Sequence, residues 1–205
     1  IIAGGEAFDE FYEKGFNVKK DKLLHYGLPR IDYLLNNEKI DLIAFKQNEE
    51  YINFMNTEIT KFLIKLAPLL DGNNEKVVGA YFHVVNDIER IGDHASYILK
   101  IAEKLKESEK KLSPDAVEEL KVIVHAVSEI FMMSFEAYKT DNLQIAQEVE
   151  PLEAVIKKII RKVKNRHIQR LKEGLCTAEV SFMFSDLLND LRRIAAHCGN
   201  IATCV

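Results

Sequence analysis

The stretch from Tyr81 to Leu99 narrows the fold most, because its apolar residues fall at Tyr81, Val84, Val85, Ile88, Ile91, Ala95, Ile98 and Leu99. Steps of three and four are the period of a helix that buries one face. Glu89 and Asp93 stand four apart, one turn above each other, beside that apolar stripe. At about 100° per residue Asn86 shares their side, while His83, Asp87, Arg90 and His94 sit further round. Two carboxylates stacked in this way can share one cation, and they repel each other without one. The stretch from Asp186 to Ile201 echoes the first. Asn86 meets Asn189, Asp87 meets Asp190, Arg90 meets Arg193, Ile91 meets Ile194, His94 meets His197 and Ile98 meets Ile201. Agreement that dense reads as an internal duplication with a period near half the chain. The copies part at the acidic positions, where Arg192 stands for Glu89 and Ala196 for Asp93.

The rest of the chain carries the same helical period. No sustained alternation of period two occurs, and nine Gly and four Pro leave little punctuation. Six helices are expected. The first spans about Glu6 to Asn36, interrupted at Gly27 and Pro29, and Asn36-Asn37 turns into the second, from about Ile40 to Leu66. Pro68 and Asp71-Gly-Asn-Asn74 stop the second, and the motif helix follows to about Glu107. Ser113-Pro114-Asp115 opens a fourth helix as N-cap, first-turn proline and first-turn acid, running to about Lys139. The fifth follows Thr140-Asp-Asn142, carries Pro151 in its interior, where a kink or break is expected, and ends at Gly174 as a left-handed cap. The sixth, from about Thr177, is the second motif helix. The fold class is all-α, with long antiparallel bundles in two halves, residues 1–108 and 109–205.

Composition excludes several functions. With 47% hydrophobic and 29% charged residues, the 205-residue chain is an ordinary globular one. A net charge of −4, with no basic cluster interleaved with aromatics, argues against a nucleic-acid groove. Cys176, Cys198 and Cys204 are odd in number and form no Cys-x-x-Cys, which points to a reducing, cytoplasmic setting rather than a disulfide framework. No apolar run approaches the roughly 20 residues that a membrane helix needs. The chain opens without Met and stops within a helical pattern, as a domain taken from a longer protein would.

Each candidate residue has a bland reading beside its functional one. Glu89 and Asp93 are either metal ligands or surface charges paired with Arg90 and neighbouring lysines. Hard oxygen donors suit magnesium, calcium, manganese or iron. Two ligands make a weak site, and further carboxylates are available at Glu49, Glu50 and Glu58 on the second helix and Glu150 and Glu153 on the fifth. Arg90 and Arg193 are expected to bridge carboxylates of neighbouring helices, and Arg192 to pair with a carboxylate of the fourth or fifth helix. His83, His94 and His197 either ligate iron or zinc or hydrogen-bond a neighbour, the second being the more frequent role. Cys198 is expected to be a small buried side chain. The apolar runs Ile130 to Met133 and Ser181 to Phe184 are core or a partner surface. No nucleophile elbow, phosphate-binding glycine loop or zinc-protease helix occurs, so catalysis is not expected.

Asp-Ile-Glu-Arg-Ile-Gly-Asp-His-Ala, residues 87–95, closely resembles the signature of the PhoU family of phosphate-uptake regulators. The resemblance implies a duplicated three-helix bundle whose Glu/Asp-x-x-x-Asp motif, once per half, carries metal. It therefore implies two tandem three-helix repeats here, and a metal site drawn from Glu89, Asp93, Asn86, Asp87 and Glu50 in the first half only. The cofactor would be iron, manganese, magnesium, zinc or calcium. Phe184 to Leu188 and His197 to Ala202 look most like the PhoU-type domain of sodium/phosphate cotransporters. That implies a non-enzymatic regulatory domain, cytoplasmic and tethered to the inner face of the membrane through a part outside this chain. The partner would be a membrane phosphate transporter, covalently linked or docked, with no nucleic acid involved and a homo-oligomer left open. A free-standing regulator docking on a transporter ATPase or a sensor kinase is the alternative. A metal-storing or oxidising helical bundle is the rival of another class, which the lack of Glu-x-x-His disfavours.

Overall fold

A computed structural model describes residues 41–70, 72–108 and 110–205. Among them every regular element is helical: α1 (Leu42–Leu66), a short 3-10 turn (Ala67–Leu69), α2 (Gly72–Glu107), α3 (Pro114–Thr140), α4 (Leu143–Lys172) and α5 (Ala178–Ala202). These match the second to sixth expected helices closely. The expected helix at 6–36, with its Gly27–Pro29 interruption, lies outside the described residues.

Local chemistry sets the helix ends. The Asp41 carboxylate accepts from the amides of Ile43 and Ala44, both at 3.0 Å, and so satisfies two of the first orphan donors of α1. The hydroxyl of Ser113 accepts from Ala116 N, with Pro114 on the first turn of α3 where no amide hydrogen is needed. Asp141 takes the left-handed conformation that ends α3, at φ 51°, and the side chain of Asn142 then caps α4. Gly174, at φ 71°, closes α4, and Leu175 N donates back to Arg170 O at 2.9 Å. Pro151 does not break α4, which runs unbroken through it. The proline is exposed, as is Gln147, whose carbonyl loses its intrahelical donor there and can turn to water.

The core lies among α2, α3, α4 and α5. From α2 come Val84, Ile91, Ile98 and Leu105, and from α5 Val180, Leu187, Ile194 and Ile201, all buried and spaced by sevens. A seven-residue apolar repeat keeps one slowly winding stripe of a helix turned to its partner, and these two seams face each other. Leu120, Ile123, Val127 and Ile130 of α3 and Ile156, Ile160 and Val163 of α4 pack on each other and on α5, which joins that three-helix bundle to α2. Truncating Ile98 or Leu187 to Ala in this packed seam would cost about 2–5 kcal/mol. Within the apolar runs, Ile130, Phe131 and Phe184 are core, whereas Met132 and Phe182 are exposed. Glu119 of α3 pins α4, accepting from Arg166 Nε at 2.6 Å and Arg170 Nη2 at 2.7 Å.

Candidate functional site

The two motif helices, α2 and α5, run antiparallel, and the polar residues that recur 103 positions apart meet across their seam. His197 Nδ1 donates to Asp87 Oδ1 at 2.7 Å, and His94 Nδ1 donates to Asp190 Oδ1 at 2.9 Å. A carboxylate only accepts, so each ring carries a proton on Nδ1. Each aspartate thus finds the histidine of the other copy, and the two imidazoles stack at 5.6 Å with planes 25° apart. The arrangement is a crossed clasp with a local twofold. Asn200 breaks the symmetry by donating a second bond to Asp87 Oδ1 at 3.1 Å, while Tyr97 at the matching position leans on His94 instead.

The acid pair lies one step round α2 from this clasp. Glu89 and Asp93 are partly covered, and the Arg90 guanidinium leans over both, at 3.8 and 3.6 Å. Burial, and then the charge of Asp93, raise the Glu89 carboxyl above its ordinary range, outweighing Arg90 and His197. A site that disfavours its own negative charge in this way gains when a cation arrives. Helix α1 crosses beside the pair, with Ile52 packed so close to Gly92 that an added Cβ would lie 3.6 Å from Ile52 Cδ1.

The other expected ligands are dispersed. Asp87 is buried and turned to α5, with Oδ1 already holding two donors. The Asn86 amide donates back to Phe82 O at 2.8 Å. Glu50 is exposed on α1 and Glu49 half-buried. Among the described residues no group of three acid, histidine or cysteine side chains is gathered as a metal cage. Of the five expected ligands, Glu89 and Asp93 are the two that stand together, both beside Arg90.

The second copy is organised differently. Glu153, matched to Glu50 at the repeat interval, packs against α5 so that an added Cβ on Gly199 would lie 3.1 Å from its Oε2, and it pairs with Lys157 at 2.7 Å. Arg192 makes no ion pair with any described residue, contrary to the expected bridge to a carboxylate. Its charge acts on Lys164, which hydrogen-bonds Asn189 and whose ammonium is pushed down by burial and then by Arg192, against the charge of Asp186. Arg193 is exposed without an ion pair among the described residues, and Arg90 pairs on its own helix rather than across to another. His94 and His197 do hydrogen-bond neighbours, whereas His83 is exposed. Cys198 is fully buried, and burial pushes its thiol up to about 12. That excludes an activated thiolate.

Sequence reading saw that Asp87 and His94 recur together but not that each pairs with the other copy. The signal was present, since Asp and His stand seven apart in both copies, in step with the apolar seam.

The model of the PhoU domain matches this chain over residues 32–102 and 120–205, one stretch on each motif helix. A curated relative, the phosphate-specific transport system accessory protein PhoU homolog 1 of Thermotoga maritima, is 25% identical over 160 residues, covering 76% of this chain and 67% of the relative. Among solved structures, PhoU from Pseudomonas aeruginosa has the same fold at a TM-score of 0.77, with 20% identity, covering 97% of this chain and 90% of that one. With its motif helices matched in both halves, the chain belongs to the PhoU family.

Proposed function

We propose that this chain is a non-enzymatic regulator of phosphate uptake, built from two tandem three-helix repeats (1–108 and 109–205), that contacts a membrane phosphate transporter from the cytoplasmic side. The match to the PhoU domain on both motif helices carries this reading. That the Thermotoga relative is an accessory protein of a phosphate-specific transport system favours a regulator that docks over the covalently attached cotransporter domain that the sequence favoured. No described helix is long and apolar enough to cross a membrane. Co-purification with the phosphate transporter from the source cells, and altered phosphate uptake when the chain is deleted, are expected. Unchanged uptake on deletion refutes the regulatory reading.

The acid pair supplies the switch in this proposal. Glu89 and Asp93 hold a divalent or iron cation, which offsets the burial and then the Asp93 repulsion that raise Glu89. Glu50 is the candidate third ligand, because its counterpart Glu153 packs on the matching motif helix. Occupancy stiffens the α1–α2 face and biases the partner between two states, a coupling limited by how differently the ion binds the two. Saturating Mn²⁺ or Fe²⁺ should raise the thermal midpoint of the wild type and leave that of Glu89→Ala/Asp93→Ala unmoved. An equal rise in both proteins removes the acid pair from the site.

A further inference from the structure

We propose that the outward face of α4 is a docking surface for an anionic phospholipid bilayer. Between Glu153 and Glu173 the chain has eight Lys and Arg residues and no acid, although its net charge is −4. The structure sorts those cations. Ile156, Ile160, Val163, His167 and Arg170 face the core, so Lys158, Arg161, Lys162 and Lys172 lie on the opposite side. All four are exposed, and none makes an ion pair with a described residue. Lys157 is tied to Glu153 and Arg166 to Glu119, so both are partly neutralised. Lys164 and Arg192 add positive charge where α4 meets α5, offset in part by Asp186.

The row from Lys158 to Lys172 is about 21 Å long at 1.5 Å per residue. Cations strung out over that length on a convex helix cannot converge on one small anion, and α4 itself carries no Phe, Tyr or Trp along the row to stack the successive bases of a nucleic-acid strand. The row also ends in exposed apolar side chains: Ile168 on α4 itself, Leu175 in the connector and Phe182 on the first turns of α5, at 50%, 63% and 72% exposure. The contact of Lys164 with Asn189 and that of Glu153 with Gly199 fix the antiparallel register of α4 and α5. That register sets Phe182 beside the last turn of α4. Fixed cations with an apolar tip are what an anionic lipid surface takes up: headgroups along the row, and Phe182 and Leu175 among the upper acyl carbons. This surface is independent of the metal reading, because α4 carries none of the candidate first-half ligands.

Flotation of the full chain with vesicles tests it. Binding is expected to vesicles of phosphatidylglycerol mixed equally with phosphatidylcholine, not to phosphatidylcholine alone, and should be released by salt. Lys158→Gln/Arg161→Gln/Lys162→Gln should weaken partitioning by about a hundredfold, at roughly 1 kcal/mol per cation. These are exposed positions, and an unchanged circular-dichroism melt would show the variant folded. Phe182→Ser should also weaken binding to the anionic vesicles at low salt, where the wild type is bound. Equal binding to neutral vesicles overturns the proposal, as does a triple variant that binds like the wild type or a Phe182→Ser that binds unchanged. Capture by immobilised polyglutamate with none by anionic vesicles would assign the face to an acidic protein and overturn it too.

Discussion

Removing Asp87 should cost about twice as much stability as removing its repeat mate Asp190. Asp87 accepts from His197 and from Asn200, and its side chain is 11% exposed. Asp190 accepts from His94, with 14% exposure. The burial is nearly equal, so the number of donors left orphaned decides the ranking. Each lost hydrogen bond to a charged acceptor is worth about 1.5 kcal/mol at this partial exposure. Asp87→Ala is then expected to lose about 3 kcal/mol and Asp190→Ala about 1.5. For a chain of this size those losses lower the thermal midpoint by roughly 9 and 4 °C. Urea unfolding at neutral pH, followed by circular dichroism, gives both values from the same slope. A double-mutant cycle of Asp87→Ala with His197→Ala should show coupling of about 1 kcal/mol, whereas Asp87→Ala with Asp190→Ala should add within about 0.5. An Asp190 variant as costly as the Asp87 one, or no coupling between Asp87 and His197, refutes the crossed-clasp reasoning.

Glu119→Ala should cost about 3 kcal/mol, since it leaves Arg170 buried without its carboxylate. Burial pushes the Glu119 carboxyl up, but the hydrogen bonds from Arg170 and Arg166 prevail and hold it below its ordinary range. Its folded pKa therefore lies under the unfolded one, so the contribution is complete above the unfolded value of about 4.3 and fades as pH falls through the folded one. The stability gap between wild type and Glu119→Gln should accordingly narrow in acid, and a gap that stays constant down to acid unfolding contradicts the assignment. Arg192→Glu/Ala196→Asp on a Glu89→Ala/Asp93→Ala background should acquire bound metal, read by elemental analysis after dialysis; the background alone should hold none. Metal retained by that background would place an ion in the second copy as it stands.

Most of the helical frame was legible from residue order. The caps at Ser113, Asn142 and Thr177 and the stops at Pro68 and Gly174 are local chemistry, decided within a few residues. Of the kink or break expected at Pro151, the break is absent, because the face that the proline occupies is open to water. The clasp was half legible: the recurrence of Asp87 and His94 stood in the sequence, but the pairing depends on antiparallel docking of two helices far apart in the chain. Arg192 was misjudged for the same reason. Its charge is visible in the sequence, but whether a carboxylate comes within ion-pair reach of it is a fact of register. The basic side of α4 was overlooked because an acidic total charge hid a local run of cations.

The crossed clasp also says which positions must drift together. In a duplicated chain the natural guess is that matched positions, such as 87 and 190, constrain each other. Here each carboxylate answers to the imidazole of the other copy, so the coupled sites are 87 with 197 and 190 with 94. A relative that replaces His197 by an apolar residue is released from keeping an acid at 87 while remaining bound to one at 190. The two copies can therefore lose their likeness one bond at a time, and the asymmetry already present at Asn200 and Tyr97 is such a step.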